Sequence, residues 1–359
     1  MESIRAWFSR LSSDPQVVFL ILSLVVGMTI VLFFGDIMGP VLASIVIAYL
    51  LEGLVGILER LKTPRLLAVS AVILAFVLAL LFITLALVPI LIRQITQLVQ
   101  QLPGMIEQGQ QLLINLPQRY PNLFTDAQVQ ALIAEIGEDV NSFRQYVLAR
   151  TLSFGFGLIT MMVYTVLVPV LVFFLLKDKD RILSWFQSYL PSNRGLAVTV
   201  WREVDTQMAN YIRGKIAEIV IVGFIAFATF RILGLDYAML LGTLVGFSVL
   251  IPYIGAAVAT IPVCAVAWFQ WGWSVELFYV TLAYGIIQFL DGNILVPLIF
   301  SEAVNMHPVA IIIAVLFFGG VWGFWGIFFA IPLATLVQAI LKAWPHHIAS
   351  GVVTDETAP

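Results

Sequence analysis

Long unbroken runs of apolar residues constrain the fold of this chain more than any other feature of its sequence. Residues 66–92 and 152–176 are two such runs. A helix of about 20 apolar residues is long enough to cross the ~30 Å hydrocarbon core of a lipid bilayer. Only 11% of the residues are charged, and a typical soluble domain has about 25%. The chain cannot cover a water-facing surface, so the sequence predicts a membrane-embedded protein.

The apolar runs predict an all-α polytopic membrane protein with six full spans, two broken or re-entrant helical segments and outer amphipathic helices. If the two broken segments are instead kinked helices that cross the membrane completely, the chain has eight spans. The six full spans are expected at residues 17–34, 41–58, 66–92, 152–176, 216–233 and 283–300.

Two polar stretches between the spans indicate the orientation of the chain. In residues 93–150 the apolar residues recur every three or four positions, which predicts amphipathic helices outside the hydrocarbon, with Thr125 or Asp126 capping the second helix. Residues 177–215 contain seven Lys and Arg, and positive charge favours the cytoplasmic side. We therefore expect both chain ends in the cytoplasm and residues 93–150 on the other side of the membrane.

Two apolar segments near the end of the chain are too long to be single spans. Residues 238–269 would form a helix of about 48 Å at ~1.5 Å per residue. This segment contains IPYIG at its centre and the second, residues 308–344, contains GGVWGFWG; Pro and Gly interrupt helices. At an offset of 70 residues, Ile261–Pro262 aligns with Ile331–Pro332, which predicts a pseudo-repeat. Inverted re-entrant hairpins, as in many secondary transporters, are one interpretation, and kinked full spans are the other.

Asp291 is the strongest candidate for a functional residue, because it is an ionisable group inside a long apolar stretch. Gln288 precedes it by one helical turn, and Gly292 and Asn293 follow it. A carboxylate and amides at one depth could coordinate a cation or bind a polar solute, and a buried carboxylate could exchange a proton. The alternative is a structural polar cluster that holds two helices together.

The two interrupted segments supply the remaining candidates. Interrupted helices leave backbone groups unpaired, which a membrane tolerates only where they line a cavity; Pro252, Tyr253 and Gly255 are therefore candidate binding residues. A simple kink and close helix packing are the structural alternatives. Candidate hinge residues are Gly292, Gly319, Gly320, Gly323 and Gly326.

Charged residues at the start of the fifth predicted span are expected to be interfacial anchors. They are Arg213, Lys215 and Glu218. Arg213 is expected to pair with Glu218 or with an anionic lipid head group.

Several function classes lack their characteristic patterns in this sequence. The one cysteine, Cys264, excludes an intrachain disulfide and a cysteine-based metal site. No glycine-rich phosphate loop, His-Glu-x-x-His motif or serine nucleophile elbow is present, so we expect no enzymatic activity, no cofactor and no metal. No basic cluster with interleaved aromatic residues lies outside the apolar runs, which disfavours nucleic acid as a partner.

Four motifs in a fixed order carry a resemblance to a known family. They are Tyr-x-Arg-Gly at 211–214, Ile-Pro-Tyr-Ile-Gly at 251–255, Asp-Gly-Asn-x-Leu-x-Pro at 291–297 and His-Pro at 307–308. In these motifs and in its overall layout the chain resembles the autoinducer-2 exporter-like (AI-2E) transporters. The chain departs from the family pattern at Ala256, where Pro often stands, which puts the geometry of the first interruption, and with it the substrate, in question.

The resemblance implies a secondary transporter of the bacterial inner (cytoplasmic) membrane, assembled as a homo-oligomer, with pentamers described in the family. It also implies a transport unit that moves against a scaffold, and links to export of the quorum-sensing furanone derivative or to Na⁺/H⁺ exchange. The expected regions are residues 1–92 (N-terminal scaffold spans), 93–150 (extracytoplasmic amphipathic helices), 151–176 (fourth span, scaffold), 177–210 (cytoplasmic amphipathic segment), 211–345 (transport unit, with a pseudo-repeat at 211–270 and 281–345) and 346–359 (polar tail).

Together these observations predict a transporter that moves a small polar solute by elevator-like alternating access, coupled to H⁺ or Na⁺ through Asp291. The solute is expected near Asp291, Asn293, Gln288 and the first interruption. One alternative is a Na⁺(Li⁺)/H⁺ antiporter without an organic substrate. A second is an uncoupled channel or a membrane scaffold.

Overall fold

A computed structural model describes residues 39–114, 158–188, 195–252, 254–300 and 307–350, together with single residues and short stretches between 125 and 146. Within these residues all regular structure is helical and no strand occurs, which confirms the all-α prediction. The first predicted span, residues 17–34, and Tyr253 lie outside the described residues. Thr125 begins the second outer helix as predicted, because its backbone N–H donates to Oε1 of Gln128 at 3.2 Å, as in a capping box.

The N-terminal half of the described chain contains five helices. A single π-helical turn, Ile83–Leu87, joins the second helix to the third without a break. The helices are α1 (Gly39–Arg60), α2 (Arg65–Phe82), α3 (Val88–Ile114), α4 (Leu158–Lys177) and α5 (Lys179–Ser188).

The described residues of the C-terminal half form seven helices. A second π-helical turn, Asp291–Leu295, joins the fourth of them to the fifth. The helices are α6 (Gly195–Ile232), α7 (Ala238–Ser248), α8 (Ile254–Trp271), α9 (Val275–Leu290), α10 (Val296–Phe300), α11 (Pro308–Trp322) and α12 (Phe324–Ser350).

Four helices among the described residues are long and apolar enough to cross a membrane. Three of them contain predicted spans, and Ile254–Trp271 is one arm of the first predicted broken segment. The predicted fifth span lies in the second half of α6, where a stretch of span length carries three charged residues, Lys215, Glu218 and Arg231. The four helices are Gly39–Arg60, Arg65–Gln111, Ile254–Trp271 and Val275–Phe300.

Three predicted region boundaries fall inside continuous helices. The boundary at 92/93 lies within α3, the boundary at 210/211 lies within α6, and α12 continues past 346 to Ser350. The helix that contains the third predicted span therefore continues past Ile92 directly into the first predicted amphipathic helix. Likewise, the amphipathic segment before residue 211 and the fifth span are one helix of 38 residues.

Both π-helical turns precede a proline by two residues, and this explains why the helices continue. Pro89 and Pro297 follow the turns Ile83–Leu87 and Asp291–Leu295. Proline has no N–H, and its ring clashes with the carbonyl four residues earlier. A local widening to i→i+5 bonding, seen in the bond from Val296 N–H to the Asp291 carbonyl, accommodates the ring without breaking the helix. Asp291 therefore lies in a widened turn of a continuous helix.

The first over-long segment is interrupted as predicted. The helices α7 and α8 are separated by residues 249–253 and pack against each other as a helical hairpin, which we call the first hairpin. At its open end the Gln270 side chain accepts a hydrogen bond from Asp236 N and donates one to Gly234 O. Near the interruption, Gly255 packs directly against the Ser248 carbonyl.

The second over-long segment is interrupted at Gly323, whose φ of +57° lies in a region that favours glycine. The helices on either side, α11 and α12, pack against each other as the second hairpin. Gly326 packs against the Phe318 carbonyl, much as Gly255 packs against Ser248. In both hairpins, a glycine near the start of the second helix packs against a backbone carbonyl of the first helix. This similarity supports the predicted pseudo-repeat.

The N-terminal half contacts the C-terminal half at two levels. On α3, the Gln94 side chain accepts a hydrogen bond from Leu240 N at 2.8 Å, and the Tyr237 hydroxyl donates to Gln101 Oε1 at 2.7 Å. On α1, Tyr49 donates its hydroxyl hydrogen to Asp205 Oδ1 of α6 at 2.6 Å. The two contacts of α3 therefore reach the predicted transport unit, whereas Tyr49 binds the predicted amphipathic segment that leads into it.

We expect Gly255→Ala and Gly326→Ala to lower thermal stability, because each new Cβ would overlap a backbone carbonyl of the opposite hairpin arm. Forcing the arms apart should cost about 1–3 kcal/mol. Gly285→Ala is the matched control, because its Cβ has no neighbour within 4 Å. Thermal unfolding of the purified protein checks this; equal melting temperatures for all three variants would show that the arms are not in close contact.

Candidate substrate and ion site

One face of α6 lies between the two hairpins. Tyr211, Gly214, Lys215 and Glu218 are spaced by three and four residues and so share this face. The Tyr211 hydroxyl donates to the Phe328 carbonyl of the second hairpin at 3.1 Å. This carbonyl lacks its usual helical donor, because the residue four positions later is Pro332.

A buried ion pair lies on the same face. The Lys215 ammonium is 2.8 Å from Oε2 of Glu218, and the two side chains are only 5% and 3% exposed. Lys215 also donates to the Val249 carbonyl at 2.8 Å, at the interruption of the first hairpin. Its Nζ lies 5.6 Å from the ring centroid of Phe300 at the end of α10. Lys215 therefore connects α6, the first hairpin and α10.

Asp291 completes a group of three charged residues. Its Oδ1 is buried and has no hydrogen-bond partner in the described part of the chain. The charge of Lys215 acts on the Asp291 carboxyl, and the charge of Asp291 acts on Glu218. The group contains two carboxylates and one ammonium, so one negative charge has no counterpart when both acids are ionised.

Gln288 connects α9 to the first hairpin. Its amide Nε2 donates to the Tyr284 hydroxyl at 3.0 Å, and this hydroxyl donates to the Ala256 carbonyl at 2.6 Å. Ala256 follows the interruption of the first hairpin by three residues. Polar groups of α9 therefore bind the first turn of α8, just after the interruption, whereas Lys215 binds Val249 at its start.

The same residue pattern occurs twice along the chain. The first polar motif is Tyr211, Lys215 and Glu218, and the second polar motif is Tyr284, Gln288 and Asp291. Each has a tyrosine, a long polar side chain four residues later and an acid three residues after that.

The two motifs also make crossed contacts of the same kind. The tyrosine of the first binds the second hairpin, and the tyrosine of the second binds the first hairpin. The repeat predicted from the hairpins thus extends to the residues of the site.

Other predicted site residues are placed differently. Asn293 is exposed, and its Nδ2 donates to the Phe289 carbonyl of its own helix at 2.9 Å, so it does not join Asp291. Gly292 is exposed, lies in the π-helical turn of a continuous helix, and has no neighbour within 4 Å of where a Cβ would be. Pro252 is half-buried in the interruption of the first hairpin.

The predicted glycines of the second interruption are close to the junction of the two hairpins. Gly319 packs against Ile327, whereas Gly320 has no neighbour at the position of a Cβ. Leu250 and Ile251, from the first interruption, belong to one apolar cluster with Phe328 of the second hairpin. The two hairpins therefore touch near the three charged residues.

The interfacial-anchor prediction for Lys215 and Glu218 is wrong, because both side chains are buried. Arg213 does not pair with Glu218; its Nε lies 3.5 Å from the Tyr49 carbonyl of α1. The signal that could have identified the pair is the recurrence of Tyr, Lys/Gln and Glu/Asp at the same spacing, which aligns at an offset of 73 rather than 70 residues.

A second polar region with a cavity of about 140 Å³ lies between α1, α4, α5 and α6. Glu52 accepts from Lys179 at 3.0 Å, and Arg65 binds both Glu52 and Glu59. The walls of the cavity are otherwise mostly apolar. The acids of this region are already paired within the chain, in contrast to Asp291.

Known proteins are similar to this chain over most of its length. A family model described as AI-2E family transporter matches residues 21–346. PerM of Escherichia coli K12, a candidate permease by its name, is 46% identical over 345 residues, covering 96% of this chain and 98% of PerM. The AI-2 transport protein TqsA of the same strain is 26% identical over 341 residues, covering 91% of this chain and 92% of TqsA. YueF of Bacillus subtilis, a candidate transport protein by its name, is 27% identical over 314 residues.

We expect Tyr211→Phe to destabilise the protein by about 1–3 kcal/mol, because it leaves the Phe328 carbonyl without a donor. Tyr279→Phe is the control, since Tyr279 lies on the same α9 face as exposed apolar residues and is itself 53% exposed. Denaturant or thermal unfolding of both variants checks this. An unchanged midpoint for Tyr211→Phe would mean that the crossed contact does not contribute to the fold.

Proposed function

Since this chain belongs to the AI-2E transporter family, we propose that it is a secondary transporter which moves a small polar solute across the bacterial inner membrane, coupled to H⁺ or Na⁺. The name of TqsA, AI-2 transport protein, favours an autoinducer-2-like solute. The observation that carries the coupling is the unpartnered Oδ1 of Asp291 beside the buried Lys215–Glu218 pair. An ionisable group of this kind in a membrane protein is typical of ion and proton pathways.

The coupling ion is proposed to bind at Asp291. When Asp291 is ionised and unoccupied, the group has an unbalanced negative charge, which is costly within a membrane. A proton or a sodium ion on Oδ1 removes that charge. The protein with an ion on Asp291 and the protein without one therefore differ in electrostatic energy. A ligand shifts a conformational equilibrium only through such an energy difference between the two conformations.

The solute is proposed to bind beside this ion site, at the interruption of the first hairpin. Support comes from the end of helix α7 at Ser248, where Lys215 donates to the carbonyl of the next residue, and from the amide of Gln288 on α9. Pro252 and Tyr253 belong to the same interruption in the sequence. Asn293, by contrast, contributes little to this proposal, because its amide binds its own helix.

Alternating access is proposed to come from movement of residues 211–345, including both re-entrant hairpins, against the scaffold. Two polar contacts would change during that movement: Gln94 with Leu240, and Gln101 with Tyr237. Each is a single hydrogen bond worth about 0.5–1.5 kcal/mol net, so the interface can reform in another register. The assembly is proposed to be a homo-oligomer, a pentamer by family resemblance, with both chain ends in the cytoplasm.

A Na⁺(Li⁺)/H⁺ antiporter is the second candidate function, favoured by the same unbalanced charge at Asp291. In this case no organic solute is bound. Reconstituted protein with imposed proton and sodium gradients, tested against a panel of small polar solutes including autoinducer-2, separates the two. Solute movement driven by a gradient supports the first candidate, and sodium-driven proton movement without any solute supports the second.

We expect Asp291→Asn to abolish gradient-driven transport in proteoliposomes, because an amide cannot bind a proton and carries no charge for sodium. Glu276→Gln is the matched control: this acid is on the same helix but exposed at its first turn, so its variant should transport like the wild type. Uptake measured with and without an imposed gradient gives the result. Full gradient-driven uptake by Asp291→Asn would remove Asp291 from the coupling mechanism and favour an uncoupled channel.

A further inference from the structure

The two polar motifs differ in charge at one equivalent position. The first motif has Lys215 before its acid, and the second has Gln288. Lys215 neutralises Glu218 at 2.8 Å. Gln288 offers Asp291 no charge, and its amide is used by Tyr284. The acid is therefore neutralised by a neighbouring charge in the first polar motif, and it is not neutralised in the second.

We propose that Asp291 is the acceptor for exactly one unit of positive charge per protomer, a proton or a monovalent cation, and that this number is set by the Lys/Gln difference between the two polar motifs. The proposal rests on the proposed function and adds to it the stoichiometry and the residues that determine it. Lys215 and Gln288 are positioning residues here, since neither is the ion acceptor.

The charged and titratable groups around the site support this count. From α6 the group receives Lys215, Glu218 and the Tyr211 hydroxyl, which is within electrostatic reach of Glu218. From α9 it receives Tyr284 and Asp291, and from the first hairpin the carbonyl of Val249. Arg213 is directed to α1 instead. The ionic charges that act on one another are thus two negative and one positive.

A single positive charge fits this arrangement better than a divalent cation. The oxygens of Glu218 are committed in part to Lys215, and only Oδ1 of Asp291 is buried and unpartnered. A divalent cation would leave the group with a net positive charge in a buried place, which is costly unless compensated. Ca²⁺ and Mg²⁺ also take six or more oxygen ligands in most protein sites.

Lys215 also links ion binding at Asp291 to the contact between Lys215 and the first hairpin. With Asp291 empty and ionised, both carboxylates attract the ammonium. With Asp291 occupied, Glu218 and the Val249 carbonyl are its remaining acceptors. Binding of the charge therefore favours the arrangement in which Lys215 holds the interruption of the first hairpin.

Four variants of the full-length chain test how many positive charges each protomer binds. Gln288→Lys supplies a second ammonium and should bind one charge fewer than the wild type. Lys215→Gln makes both halves alike and should bind one more. The exchange Lys215→Gln/Gln288→Lys keeps the total unchanged and should bind as many as the wild type. Gln288→Met, which changes the side chain without adding charge, should also match the wild type.

The bound charge is counted by two probes on purified protein. Protons taken up between mildly alkaline and mildly acidic pH are counted with a pH indicator in weak buffer without sodium. Sodium bound at alkaline pH is counted with radioactive Na⁺. If only the proton count changes across the variants, the site takes a proton; if both change, it takes either ion in competition.

The proposal is overturned if Gln288→Lys binds as many charges as Gln288→Met, because the charge at position 288 then does not balance Asp291. It is also overturned if the exchange variant differs from the wild type while remaining monodisperse. If Lys215→Gln fails to fold, Gln288→Lys and the exchange variant still decide. Unchanged counts together with loss of transport in Asp291→Asn would reject this inference and leave the proposed function standing.

Discussion

The buried contacts of Lys215 are the interaction on which the arrangement of the C-terminal half depends. Its ammonium is shared between Glu218 and the Val249 carbonyl, each at 2.8 Å. Breaking such a buried pair by removing one partner commonly costs about 3–5 kcal/mol. A membrane offers no water to replace these partners. The interruption of the first hairpin can therefore exist at this place because Lys215 satisfies the carbonyl that the helix leaves free.

Close packing at glycines, which have no side chain, explains the arrangement of the other helices in the C-terminal half. Gly242 packs against Phe227, and Gly246 packs against Gly223, which lets α7 lie directly on α6. Small residues allow helices to approach closely in membranes, where dispersion forces replace the hydrophobic effect. Gly255 and Gly326 do the same within each hairpin. The hairpins are thus short, rigid units whose tips meet beside the charged group, where small shifts would change the electrostatic balance.

Sequence reasoning identified the interruptions and Asp291, because Pro, Gly and a lone acid stand out against apolar neighbours. It placed the end of the third span at Ile92, whereas the helix continues past Pro89 and Ile92 to Ile114, because the π-helical turn before Pro89 absorbs the proline. It also placed Lys215 and Glu218 at an interface, because charge next to an apolar run usually indicates one. Their burial arises from contacts with Val249 and Phe300, which are distant in sequence.

The proposed coupling requires that an ion from the water reach Asp291 inside the membrane, and cysteine labelling in intact membranes tests this access directly. In a Cys264→Ala background, Gln288→Cys and Phe289→Cys are adjacent positions on different faces of one helix; Phe289 is 64% exposed on the outside of the chain. We expect a charged, membrane-impermeant thiol reagent to modify Gln288→Cys and to leave the lipid-facing Phe289→Cys unmodified. An inert Gln288→Cys that is modified only by a membrane-permeant apolar reagent would show a dry site and contradict the account.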